Sequence, residues 1–131
     1  MMHVVLALCL TAPPAQGLTI QVTAPEVTGA TAEEAAIVQT AMKKELEGQG
    51  YGVLLKDGKR QATISGALTK KDAIYLLDFS ITFERDGRIL ENVREMAPTK
   101  AELPTASVWI ARELASALRM AAGVRAKVKL K

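Results

Sequence analysis

The sequence predicts an α+β two-layer sandwich: a mixed, mostly antiparallel sheet with two helices on one face, in the order β-α-β-β-β-β-α and with a final strand left open. Three observations predict it. Ile74 to Phe83 places Tyr75, Leu77, Phe79, Ile81 and Phe83 at every second position, the period of a strand with one buried face. Ala62 to Leu68 alternates in the same way just before it. Two other stretches, opened by Thr31-Ala-Glu-Glu34 and Thr99-Lys-Ala-Glu102, repeat apolar residues at helical spacing behind capping-box sequences.

The chain is organised around Gln61 to Val93, read as three antiparallel strands. A loop at Thr69-Lys-Lys-Asp72 would set Leu68 against Ala73, Gly66 against Tyr75, Ile64 against Leu77 and Ala62 against Phe79. Every apolar partner then shares one face, which a correct register requires. An aromatic ring lying over Gly66 would also cover a backbone that has no side chain of its own. Asp86-Gly87 between apolar runs signals the next hairpin. A two-residue turn would face Phe83 with Leu90. A three-residue loop with Gly87 left-handed would face Phe83 with Ile89, Phe79 with Val93 and Glu84 with Arg88. The second is preferred because it buries more apolar pairs.

A length of 131 residues suits one domain, and an apolar fraction of 49% with a net charge of +3 is enough to bury a core without disulfides or metals. His3 and Cys9 are the only His and Cys, so the chain beyond them lacks the usual zinc ligands, a Cys nucleophile and a His base. No cofactor is expected. Asp78, Glu84, Asp86 and Glu91 are the carboxylates near the meander that could pair for acid–base work. Hairpin and solvent-face positions account for all four without chemistry, so the expectation is that the protein is not an enzyme.

Residues 1–17 read as a secretory signal peptide, and 18–131 as the single α+β domain. Val4 to Leu10 is apolar and too short to span a membrane, and Ala15-Gln-Gly17 offers small residues where a signal peptidase cuts. Met1-Met2-His3 lacks the Lys or Arg of a full signal, and a buried first strand is the alternative. The expected destination is outside the cytosol. Leu8 stands where lipidation of Cys9 would need a small residue, which argues against a lipid anchor.

In chain order, Leu18, Ile20 and Val22 alternate as a first strand, and Ala24 to Ala30, with Pro25 and Gly29, reads as a loop. Thr31 caps a helix whose Ile37, Val38, Ala41, Met42 and Leu46 share a face, with Gly48 and Gly50 stopping it. Tyr51 to Leu55 is a short strand ended by Lys56-Asp-Gly-Lys59. After the meander, the last helix is expected to begin nearer Pro104 than Thr99, to pack Ile110, Leu114 and Leu118 with Trp109 as a core anchor or half-exposed rim residue, and to end at Gly123. Residues 124–131 alternate strictly and read as a basic tail or edge strand carrying Arg125, Lys127, Lys129 and Lys131.

Read together, these segments resemble the amino-terminal domain of TolB and related bacterial envelope domains, including those of CsgG and LpoB. The pieces that carry the resemblance are Ile20 to Pro25, Thr31 to Leu46, Tyr51 to Leu55, Ala62 to Gly66, Tyr75 to Phe79, Asp86-Gly-Arg-Ile-Leu90, and Ala106 to Leu118. Many relatives carry extra helical turns between the second and third strands, for which Lys56 to Gln61 leaves no room. The resemblance implies a non-catalytic periplasmic domain that binds another protein of the cell envelope.

Two surfaces are candidates for that binding. The sheet face opposite the core would expose Ile74, Leu76 and Leu90 beside Ser65, Ala67, Asp78 and Ser80, unless another element covers it. The basic tail, with Lys43, Lys44, Lys70 and Lys71, could instead meet an anionic surface, leaving peripheral membrane contact open. No nucleic acid is expected, because no stacking aromatics accompany these lysines.

Overall fold

The computed structural model describes residues 17–130, with side chains through residue 123. Its elements are β1 (Thr19–Val22), β2 (Glu26–Thr28), α1 (Ala32–Gly48), β3 (Gly52–Leu54), β4 (Ala62–Lys71), β5 (Ile74–Phe83), β6 (Arg88–Ala97), a 3-10 turn (Lys100–Glu102) and α2 (Leu103–Leu130). The sheet runs β3-β1-β4-β5-β6, with β2 also paired to β4. The two helices lie side by side over one face, so the α+β two-layer sandwich is present. Residues 1–16, which hold most of the expected signal peptide, lie outside the described residues.

β1 and β2 are successive pieces along one edge of β4. β1 runs parallel to Ala62–Ile64 and β2 parallel to Ala67–Thr69. Pro25 between them has no N–H to give a ladder. Thr23 carries the chain across the break by donating both its amide (3.0 Å) and its hydroxyl (2.8 Å) to the Ile64 carbonyl. Ala24 to Ala30 is therefore not wholly a loop. All three residues of β2 are exposed, so it lacks the buried alternation that marks a strand in sequence.

The first hairpin is tighter than the sequence reading. Leu68 faces Leu77, Ile64 faces Ile81, Ala62 faces Phe83, and Gly66 lies opposite Phe79 rather than Tyr75. The turn contains only Asp72 and Ala73, both left-handed (φ 54° and 69°). That conformation matches strand twist but normally selects Asn or Gly. Ala73→Gly is expected to stabilise the domain by about 0.5–1 kcal/mol, read by urea denaturation, because it removes a Cβ from a left-handed backbone.

In the second hairpin Phe79 does face Val93, and Gly87 is left-handed (φ 69°). Nearer the loop the register differs. Phe83 faces Arg88 and Thr82 faces Ile89, with an irregularity between Ile81 and Thr82. β6 also continues to Ala97, beyond the expected end at Val93.

The core lies between the layers. β4 and β5 supply Ile64, Leu68, Leu77, Phe79 and Ile81, α1 supplies Val38, Met42 and Leu46, and α2 supplies Leu103, Ile110, Leu114 and Leu118, all at most 1% exposed. Burial of each such side chain is worth about 1.5–3 kcal/mol. The capping box of α1 forms in full: the Glu34 amide donates to Thr31 Oγ1 (3.1 Å), and the Thr31 amide donates to Glu34 Oε1 (2.9 Å). At the second such sequence Thr99 makes no side-chain bond to the backbone, and the regular helix begins at Leu103, with Pro104 in its first turn.

Gly123 does not end α2, which continues to Leu130, so the tail alternative of a final edge strand is not realised. The Arg, Ala, Lys and Leu that follow are good helix formers, and one glycine costs a helix only about 1 kcal/mol.

Candidate binding surface

The residues that alternate with the buried set of β5 point away from both helices. Leu76 sits between Thr69 of β4 and Met96 of β6, and Ile74 lies at the hairpin end of the same row. Ile74, Leu76 and Met96 are 37%, 45% and 57% exposed. A shallow depression around them is lined by Ala67, Thr69, Leu76, Asp78, Arg94 and Met96.

Further along, the face becomes polar. The Asn92 side-chain amide donates to Asp78 Oδ1 (2.8 Å), Ser80 Oγ (2.8 Å) and the Phe79 carbonyl (3.1 Å), while Arg94 Nε donates to Asp78 Oδ2 (3.1 Å). At the far end Arg60 binds Thr63 and Asp57, and Thr63 donates to Glu84. The surface is thus an apolar row at one end, bordered by a hydrogen-bonded polar network.

Leu90 does not belong to this face. It is half-buried and packs against the core. The register shift opposite Ile81 and Thr82 moves it out of strict alternation, and Ile89, 62% exposed, takes the outward position opposite Thr82. Met96 was missed because the meander was ended at Val93. The continued alternation of Val93, Glu95 and Ala97 was the signal for it.

The four carboxylates near the meander are engaged separately. Asp78 is held by Arg94 and Asn92, Glu84 by Thr63, and Asp86 accepts the Arg88 amide at 3.1 Å. Glu91 is exposed on β6. Among the described residues no group of three or more His, Cys, Asp or Glu side chains could hold a metal ion.

The buried polar contact of most consequence joins the layers. The Tyr75 hydroxyl of β5 donates a hydrogen bond to Glu34 Oε2 at the amino terminus of α1. That bond, with the Thr31 amide, holds the Glu34 carboxyl below its ordinary value of 4.5. The same bond pushes the Tyr75 phenol above its ordinary 10.0. A lowered carboxylate pKa contributes stability above the unfolded value and loses it as pH falls through the folded one. Tyr75→Phe is expected to lower the melting temperature at pH 7 and to shrink the loss of stability below about pH 4.5, as read from thermal melts across pH.

The basic residues are spread over three elements. Lys43 pairs with Glu47 of α1 at 3.0 Å, and the ammonium of Lys70 lies 5.3 Å from the centre of the Tyr75 ring. Lys44 and Lys71 are exposed. Arg125, Lys127 and Lys129 fall in the final turns of α2, and Lys131 lies outside the described residues.

No protein-family model matches the chain, and no curated protein matches it. Solved structures do. A PelC dodecamer from Paraburkholderia phytofirmans aligns with a TM-score of 0.60 at 14% identity, covering 80% of this chain and 88% of that one. Protein XCC0632 from Xanthomonas campestris aligns with a TM-score of 0.52 at 10% identity, covering 88% and 92%. The LpoB C-terminal domain from Salmonella enterica is a weaker match, with a TM-score of 0.49 at 13% identity over 74% and 94%. The fold is shared with PelC and XCC0632. No described helix is long and apolar enough to cross a membrane.

Proposed function

We propose that this chain is a non-catalytic protein-interaction module of the bacterial cell envelope, akin to the TolB amino-terminal domain, secreted to the periplasm and binding a protein partner. The observation that carries this reading is the row of exposed Ile74, Leu76 and Met96 on a sheet face away from both helices. Apolar side chains grouped on a rigid sheet can seat a partner, whereas the same residues scattered singly would need no account. The fold shared with PelC, crystallised as a dodecamer, supports association with protein chains as the mode of action. The signal-like sequence of residues 1–17 supports export.

The test is capture from solubilised envelope with the full chain as bait. A photo-crosslinking residue at Thr69 marks direct contact, and Leu76→Glu serves as control. A protein crosslinked by the native surface and reduced about tenfold or more with Leu76→Glu is expected, since a buried unpaired carboxylate costs several kcal/mol. Equal crosslinking by both baits would move the binding site elsewhere.

A second reading, an anionic-surface binder acting through the basic tail, is favoured by one observation. Among the residues whose side chains are described, the last buried one of α2 is Leu118, and the helix backbone runs on to Leu130 through Arg125, Lys127 and Lys129. Vesicle binding that weakens steeply with salt and disappears on deletion of residues 124–131 would support it.

A further inference from the structure

β6 and α2 border a second surface, which meets the outer apolar row along the edge strand, where Glu95 and Met96 line both. Among the described residues β6 is the last strand of the sheet and runs for 10 residues with no strand paired on its far side. An open strand edge is a template for another chain. Beside it, α2 turns one helical stripe toward β6, and two shallow depressions lie between them. The first is lined in part by Ile89, Leu90, Glu91, Glu113 and Met120, and the second by Glu95, Glu102 and Trp109. Trp109 and Met120 are 50% and 67% exposed.

The charge of this groove is one-sided. Among the described residues, Glu91, Glu95, Glu102 and Glu113 line it against one cation, Arg88. Glu91, Glu95 and Glu113 form no ion pair with another described residue, whereas Asp78, Glu45 and Glu33 elsewhere on the surface all do. At the opposite end of the sheet β3 is followed by a loop carrying Lys56 and Lys59, both exposed and without an ion pair among the described residues. Leu55 beside them is 41% exposed. One end of the sheet thus presents free carboxylates around apolar side chains, and the other presents free ammoniums around a leucine.

We infer that a second copy of this chain docks here head to tail, its β3 end and Lys56–Lys59 loop seated against the β6–α2 groove of the first. A two-fold β6-to-β6 dimer centred on Val93 would instead set Glu91 against Glu95 of the other copy, twice over, and like charges directly opposite are destabilising. A head-to-tail contact leaves each copy with one donor and one acceptor end, so it closes a ring or extends a filament. The inference rests on the reading of the chain as a protein-binding module. It is centred on the β6–α2 groove rather than on Leu76, and its test needs no envelope extract, so either can fail while the other stands.

The test is sedimentation of the purified full chain over a concentration series, with the emission of Trp109, the sole tryptophan, recorded alongside. Assembly is expected to grow with concentration, to weaken with salt, and to shift Trp109 emission to shorter wavelength as the groove is covered. Glu91→Lys with Glu113→Lys, and separately Lys56→Glu with Lys59→Glu, should each weaken self-association about tenfold or more. Mixing the two variants should restore it, because each offers the charge the other lacks. Leu76→Glu should leave it unchanged. Circular dichroism checks the fold, and Glu91→Gln with Glu113→Gln replaces any charge reversal that misfolds. A chain that stays monomeric throughout, or an assembly indifferent to the lysine changes, overturns the inference.

Discussion

Phe79→Ala is expected to cost about 3–5 kcal/mol, the largest loss of any single truncation in the sheet. The ring is 1% exposed at the centre of β5, between Gly66 on one side and Val93 on the other. Its neighbour across β4 has no side chain that could swing in to fill the void. The site therefore cannot collapse, and the cavity penalty adds to the lost transfer energy. Urea denaturation should show a lower midpoint with an unchanged slope, since the surface exposed on unfolding is nearly the same. Domains of this size hold only about 5–15 kcal/mol in total, so the variant sits near the edge of folding. A loss below about 1.5 kcal/mol would mean that the layers close over the gap.

Gly66→Ala should be destabilising by about 2–3 kcal/mol, although the same change at an ordinary strand position would favour the fold by about 0.5–1 kcal/mol. A Cβ at Gly66 would stand 2.1 Å from the Asp78 carbonyl oxygen, 2.6 Å from Phe79 Cδ2 and 2.7 Å from Phe79 Cα. Two of those atoms are backbone, so a side-chain rotation cannot relieve the contact. The sign of the effect is the test: a variant as stable as the parent would show that β4 and β5 can part locally at no cost. Combining the change with Phe79→Ala should give less than the sum, because removing the ring lifts one of the three clashes.

These two residues also show how far the sequence carries. That an aromatic ring covers Gly66 was legible, but the ring is Phe79 and not Tyr75. The displacement spans an even number of residues, so every buried side chain on β4 and β5 stayed on its expected face. Alternation fixes parity strongly and register weakly. The register was set by the Asp72-Ala73 turn, which has no Asn or Gly to announce a tight hairpin. β2 was not legible because a strand that buries nothing leaves no pattern. The outer apolar row was read correctly in position at Ile74 and Leu76, while Leu90 was misplaced because a local register shift has no composition signal of its own. The Thr31 capping box was legible in full, since both of its bonds span only three residues.

The placing of β1 has a kinetic consequence. β4, β5 and β6 follow one another in the chain and pair as neighbours, so their contacts close short loops. β1 must wait for a strand some forty residues later before Ile20 finds Ala62, and β3 enters the sheet through its pairing with β1. Contacts between distant residues form late because closing long loops costs entropy first. The meander should therefore protect its amides from hydrogen exchange up to the free energy of global unfolding, while β1 and β3 open together at lower cost. Until that docking, Ile20 and Val22 are exposed on a chain whose hairpins have already formed. The half of the sheet nearest the amino terminus is the part whose assembly a chaperone, or a slow step in synthesis, could delay.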